Sequence, residues 1–254
     1  MRFFPRLAFA AAALFAIGAA PASSQSISDA QRGEIERIIR DYLLKNPEVL
    51  QEAIAELEKR QAKTDAEKNK AAVKENADAL FNSSRHVVIG NPKGDVNFVE
   101  FFDYNCGYCK RAVADMMALM KNDANLRIVL KEFPVLGPGS QDAAKVAVAV
   151  RMQDKSGKKY LEFHQKLMGG RGQVDKARAL AAAKEAGLDV VRIERDLSSD
   201  EVRATIEESF KLADKLSLNG TPAYVIGDDV VVGAVGVEAL REKINVARCG
   251  KATC

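Results

Sequence analysis

The stretch Phe98-Val99-Glu100-Phe101-Phe102-Asp103-Tyr104-Asn105-Cys106-Gly107-Tyr108-Cys109-Lys110 joins two patterns, and their meeting decides the architecture. Asn97 to Phe102 is almost continuously apolar, as in a central strand covered on both faces. Lys110 to Met120 continues as a helix. The two cysteines fall at the junction. A thiol at a helix N-terminus meets free backbone N–H groups and the positive end of the helix dipole, which favour a thiolate. A second cysteine one turn later can reach whatever disulfide the first one forms. The pattern therefore predicts a redox pair, with Cys106 as nucleophile and Cys109 as resolving thiol. Lys110 adds a positive charge that points either towards the pair or to solvent. The Gly107-Tyr108 dipeptide has no cation and no proline, which predicts a milder pair than in the strongest oxidants. Two other readings exist. One is half a zinc site completed by Cys249 and Cys254 or by His86 and His164, although the histidines lack ligand spacing. The other is a purely structural Cys106–Cys109 bridge.

Working outward, His86 to Ile89 and Arg127 to Phe133 read as strands. Gln141 to Leu216 reads as helical throughout, with breaks near Gly169-Gly170, Gly187 and Ser198-Ser199. Two short strands follow, Ala223 to Ile226 and Val230 to Val232, and then a helix from Val237 to Val246. Strand, strand–CxxC–helix, strand, long helical insert, two strands and helix is the order of an α/β thioredoxin fold with an inserted helical domain. Pro222 stands just before a strand, a poor place for a ladder residue. A cis Thr221-Pro222 bond there would expose Thr221's backbone to an extended peptide beside Cys106; a trans proline at a loop end is the alternative. Glu100, inside the apolar run, is expected to be buried with a raised pKa. It can then relay protons to Cys109 through water, with Lys131 as a possible charge partner; a solvent-facing edge glutamate is the alternative.

Residues 1–22 read as a cleavable export signal: Arg2 and Arg6, an apolar run Leu7 to Ala20, and small residues up to Ala22. A retained membrane anchor is the other reading. The net charge is +3, and these two arginines carry two of those charges, which leaves no footprint for nucleic acid. Ser28 to Gln31 matches a capping box. Ile35, Ile38, Ile39, Tyr42 and Leu43, then Leu50, Ile54 and Leu57, form an apolar stripe, with Asn46-Pro47 expected to cap and start a second helix. Glu58 to Ala77 is rich in Ala, Lys, Glu and Gln, and Val73 is its only large aliphatic residue, the composition of a helix in solvent. Cys249 and Cys254 end the chain and read as a local structural disulfide, with an accessory redox pair as the alternative.

With the CGYC motif, the Thr221-Pro222 loop and the mid-fold insert in place, the chain resembles the DsbA family of bacterial periplasmic thiol–disulfide oxidoreductases. The stretch Phe101 to Lys110 is most similar to its ScsC-like and Com1-like branch, whose N-terminal helical extension residues 26–80 resemble. The resemblance implies a signal at 1–22, an oligomerisation segment at 23–62 and a helical linker at 63–83. It also implies a catalytic domain at 84–248, with its insert at about 139–216, and a cysteine pair at 249–254. Cys106 and Cys109 would be catalytic, with Glu100 at the position of the family's buried acid. Thr221, Pro222, Gly107 and Tyr108 would meet substrate. Gly-Tyr and the Thr before proline also resemble the dimeric periplasmic isomerase DsbC, and depart from the Pro-His and Val-Pro of the prototype oxidase. Isomerase or reductase activity is thus expected ahead of dithiol oxidation, with no metal or organic cofactor. Expected partners are exported proteins with cysteines, a membrane redox protein of the DsbD or DsbB type, and further copies of the chain, most simply as a trimer. A periplasmic chaperone or copper-handling protein using the thiols as soft ligands is the competing class.

Overall fold

A computed structural model describes residues 27–254. The predicted export signal at 1–22 lies outside the described residues. Among those described, no helix is long and apolar enough to cross a membrane. The chain divides into two units, one ending at Glu58 and one running from Lys59 to Cys254.

In the first unit, Ser28 caps helix α1 (Asp29–Lys45), and the reciprocal Gln31 bond completes a capping box. Asn46 does not cap the next helix as expected. Its side-chain amide donates to Tyr42 O at 2.8 Å and so closes α1. Helix α2 (Glu48–Glu75) then runs on across the division. No residue of α1 is buried, and Ile38 and Leu57 of the stripe are 57 % and 66 % exposed. Val73 is the buried residue of α2, as the polar composition of that segment implies.

The second unit is built on a five-stranded sheet. After a π-helical turn (Asp78–Asn82) come β1 (Val87–Gly90), β2 (Val96–Phe102), helix α3 (Gly107–Asn122) and β3 (Leu126–Glu132). Five helices follow: α4 (Pro138–Gln153), α5 (Lys158–Gly169), α6 (Lys176–Glu185), α7 (Val190–Asp196) and α8 (Asp200–Lys215). Strands β4 (Ala223–Ile226) and β5 (Asp229–Val232) and helix α9 (Val237–Cys249) complete the fold. The strand order is β1-β3-β2-β4-β5, with β2 and β3 parallel and the other pairs antiparallel. This is a thioredoxin-like fold with a helical insert. The break between α4 and α5 has no counterpart in the sequence reading. It is made by Asp154, whose carboxylate accepts from the Ser156 N–H, the Ser156 hydroxyl and the Tyr160 N–H, and by Gly157 at φ +74°, where a Cβ would stand 2.6 Å from Val88 O.

Alternate residues of β2 feed two cores. Phe98 and Phe102 join Met116 and Leu119 of α3, Ala143 and Val146 of α4, Phe163 of α5 and Leu240 of α9. Val99 and Phe101 face the other way, onto Leu80, Leu212 and Leu216. All four β2 side chains are fully buried, so emptying either side, for example by Phe102→Ala, carries the usual cost of about 3–5 kcal/mol.

Candidate active site

The end of β2 and the start of α3 place the two thiols. Cys106 is the N-cap of α3, with extended backbone (φ −75°, ψ 114°), and its Sγ accepts the Cys109 N–H at 3.4 Å. Its thiol donates to the Thr221 carbonyl at 3.2 Å. Cys109 sits inside the core with no exposure, against 5 % for Cys106, and the two sulfurs are not bonded to each other. Burial, with the nearby charges of Cys106 and Glu100, pushes the Cys109 thiol far above its ordinary range.

The Thr221-Pro222 peptide is cis and leads directly into β4. Strand β4 pairs antiparallel with β2, Ala223 opposite Phe101, and this brings the loop alongside Cys106. The Gly233 N–H donates to Pro222 O at 2.8 Å, which ties the far side of the loop to β5's end. Gly107 and Tyr108 are exposed on the first turn of α3, and the Arg111 guanidinium lies 4.4 Å from the Tyr108 ring centre.

Glu100 is 1 % exposed, and burial, with Asp115 adding to it, raises its pKa to about 8. Its Oε2 has no protein partner, nor does the hydroxyl of Tyr224, the residue directly opposite on β4. Lys131 is not its charge partner. Glu100 pairs with Leu130, so Lys131 falls on the opposite face of the sheet, where its ammonium meets Glu208 at 3.1 Å. Lys110 likewise gives its ammonium to two carbonyls of the α5–α6 segment.

Several site residues went unread in the sequence. Asp103 is buried and accepts from the Asn105 N–H, the Ser140 hydroxyl and the Leu136 N–H, an Asx turn that its place before the helix start signals. Glu132 ends β3 in a closed polar group. The Tyr160 and Tyr104 hydroxyls donate to it, and the Tyr104 hydroxyl also lies 3.4 Å from His164 Nδ1. Burial raises Glu132 to about 8 and lowers His164 to about 3. Tyr160 and His164 are one turn apart on α5, but Tyr104 and Glu132 come from distant elements, and no local signal joins them to that pair. At the other end of the chain, Cys249 and Cys254 form an exposed disulfide, with Cα atoms 6.2 Å apart.

Comparison with known proteins places the fold in a family. Residues 98–245 match the model of the DSBA-like thioredoxin domain, and residues 31–63 that of the copper resistance protein ScsC N-terminal domain. A thioredoxin-like oxidoreductase of Silicibacter pomeroyi is 46 % identical over 67 % of this chain and 96 % of its own, with a TM-score of 0.64. Proteus mirabilis ScsC in a transitional conformation is 29 % identical over 90 % of this chain and 100 % of its own, also at TM-score 0.64. Among curated relatives, the Na(+)/H(+) antiporter NhaA 1 of Salinispora arenicola is 29 % identical over 65 % of this chain, and the match spans only 25 % of the antiporter's length.

Proposed function

Since the chain belongs to the DsbA-like thioredoxin-domain family of thiol–disulfide oxidoreductases, we propose that it exchanges disulfides with exported polypeptides in the periplasm, as an isomerase or reductase ahead of an oxidase. The observation that carries this reading is the inequality of the two thiols. Cys106 sits at a helix start with a backbone donor on its sulfur, whereas Cys109 is sealed in the core and held protonated.

The Cys106 thiolate attacks one sulfur of a substrate disulfide. The substrate S–S bond breaks, a mixed disulfide forms, and the departing thiolate takes up a proton. In reduction, Cys109 gives up its proton and attacks the Cys106 sulfur. That releases the reduced substrate and leaves the Cys106–Cys109 disulfide. In isomerisation, a different substrate thiolate attacks instead, and the protein returns as the dithiol. Glu100 is the acceptor for the Cys109 proton, through water. Thr221 offers its backbone to the substrate strand beside Pro222, and Gly107 and Tyr108 form the open side. No metal or organic cofactor takes part. A DsbD-type membrane protein would reduce the pair again, whereas a DsbB-type partner would suit the oxidase direction. The exposed stripe of α1 and α2 is covered by self-association, as a trimer, and the match of residues 31–63 supports assigning that segment its own role.

Trapping tests the reading. Cys109→Ser should accumulate mixed disulfides with exported proteins, while Cys106→Ser should abolish exchange. Faster alkylation of Cys109 than of Cys106 in the reduced native protein would reverse the assignment. A Cu(I) titration run beside an insulin-reduction assay separates this function from copper handling.

A further inference from the structure

Between α5 and α6 the insert contains a segment, Gly170 to Val174, without regular structure and mostly exposed; Val174 is its buried member. Its carbonyls turn one after another onto three side chains. Lys110 Nζ donates to Gly170 O at 3.3 Å and to Gly172 O at 2.9 Å. The Arg178 guanidinium donates to the carbonyls of Arg171 and Gln173. Asn105 Nδ2 donates to Val174 O at 2.8 Å, and the Val174 N–H returns a bond to Asn105 Oδ1 at 2.6 Å. The Asn105 amide also reaches Ser140 Oγ at the start of α4. At this crossing a Cβ on Gly139 would stand 2.8 Å from Val174 O, so α4 meets the segment with no room for a side chain.

Two of these three donors flank the cysteine motif. Asn105 directly precedes Cys106, and Lys110 directly follows Cys109. The segment is thus a strap gripped from both ends of CGYC, with its carbonyls facing in and the side chains of Arg171 and Gln173 exposed. Val174 is its one anchor in the apolar core, and the order of the exposed residues from Gly170 to Gln173 depends on these bonds.

We propose that Asn105 and Lys110 are positioning residues of thiol exchange, which hold the Gly170–Val174 strap beside Cys106 as a wall against which a polypeptide substrate lies. The proposal rests on the thiol-exchange reading and adds a recognition surface to it. A substrate that lies on a pre-ordered wall does not have to order it on binding. Removing a grip therefore weakens binding of ground state and transition state alike, which appears in KM and not in kcat.

The test uses the full chain carrying Lys110→Met, Lys110→Arg or Asn105→Ala. Insulin serves as polypeptide disulfide, and a small aromatic disulfide that spans no wall serves as the comparison. For Lys110→Met and Asn105→Ala, the KM for insulin should rise about tenfold, the scale expected for lost hydrogen bonds at a binding surface. Their kcat should stay within about twofold, and reaction with the small disulfide should fall far less than reaction with insulin. Lys110→Arg keeps donors for both carbonyls and should bring KM back towards the wild-type value. An unchanged KM in both variants overturns the proposal, and so does an equal loss with both disulfides. Should Asn105→Ala fail to fold, the Lys110 pair decides alone. A wild-type protein inert towards both disulfides would end the thiol-exchange reading itself, a result distinct from failure of the strap.

Discussion

Glu100 and Lys131 show what one register step does. A carboxylate in an apolar run announces its own burial, so Glu100 was legible from its neighbours. That Lys131 faces away from it was not, because facing depends on which residue of β3 stands opposite, and that is Leu130. The same face holds Glu132, and both carboxyls are raised to about 8 from an ordinary value of 4.5. The folded state therefore binds their protons more tightly than the unfolded chain does. The stability these two carboxyls contribute is fully present below pH 4.5, falls as pH rises, and is lost above about 8. Across that window each pH unit costs about 1.4 kcal/mol per such carboxyl. Melting curves taken from pH 6.5 to 9 should show this decline, since below 6.5 the buried histidines His86 and His164, both lowered to about 3, act in the opposite sense, and Glu100→Gln should remove Glu100's share of it. A variant as pH-sensitive as the wild type would contradict the assignment. If Glu100 takes the Cys109 proton, the same variant should also prolong the life of the mixed disulfide.

At the level of elements, most of the fold could be read because strands and helices differ in period, and glycines and capping residues mark their ends. The Asp154–Gly157 break was missed although its Asx chemistry is local, because the apolar pattern runs on through it. The strap on Lys110 and Asn105 could not have been found, since carbonyls leave no trace in sequence. Helix polarity separates the two cysteine pairs. Cys106 begins α3, at the end that stabilises negative sulfur, whereas Cys249 lies in the last turn of α9, at the end that disfavours it. The terminal pair is therefore suited to a staple more than to exchange. Replacing Cys249 and Cys254 together by alanine should leave insulin reduction near wild type. So short a loop constrains the unfolded chain little, and stability should fall by at most about 2 kcal/mol, read as a lower melting temperature. Loss of turnover without unfolding would make the pair an accessory redox site.

For the whole molecule, the open matter is what the N-terminal stripe meets. Tyr42, Ile54 and Leu57 are all more than half exposed, and burial of such a row is the ordinary driving force for self-association. Deleting residues 23–62 should give a monomer that still reduces insulin but no longer unscrambles ribonuclease. Light scattering of both proteins checks the first half, and a scrambled-ribonuclease assay the second. A monomeric full-length chain, or a truncated one with undiminished isomerisation, would remove the oligomer from the mechanism. The two cores on either side of the sheet carry a last consequence. From Phe98 to Phe102, successive side chains face alternately one side of the sheet or the other, so the strand has a phase as well as a composition. Loss or gain of one codon inside the strand would turn the residues on one side of it onto the wrong face together, a change that no single substitution undoes. Diverging copies of this gene are free in spelling but not in length across that stretch, and must take their insertions outside the strand.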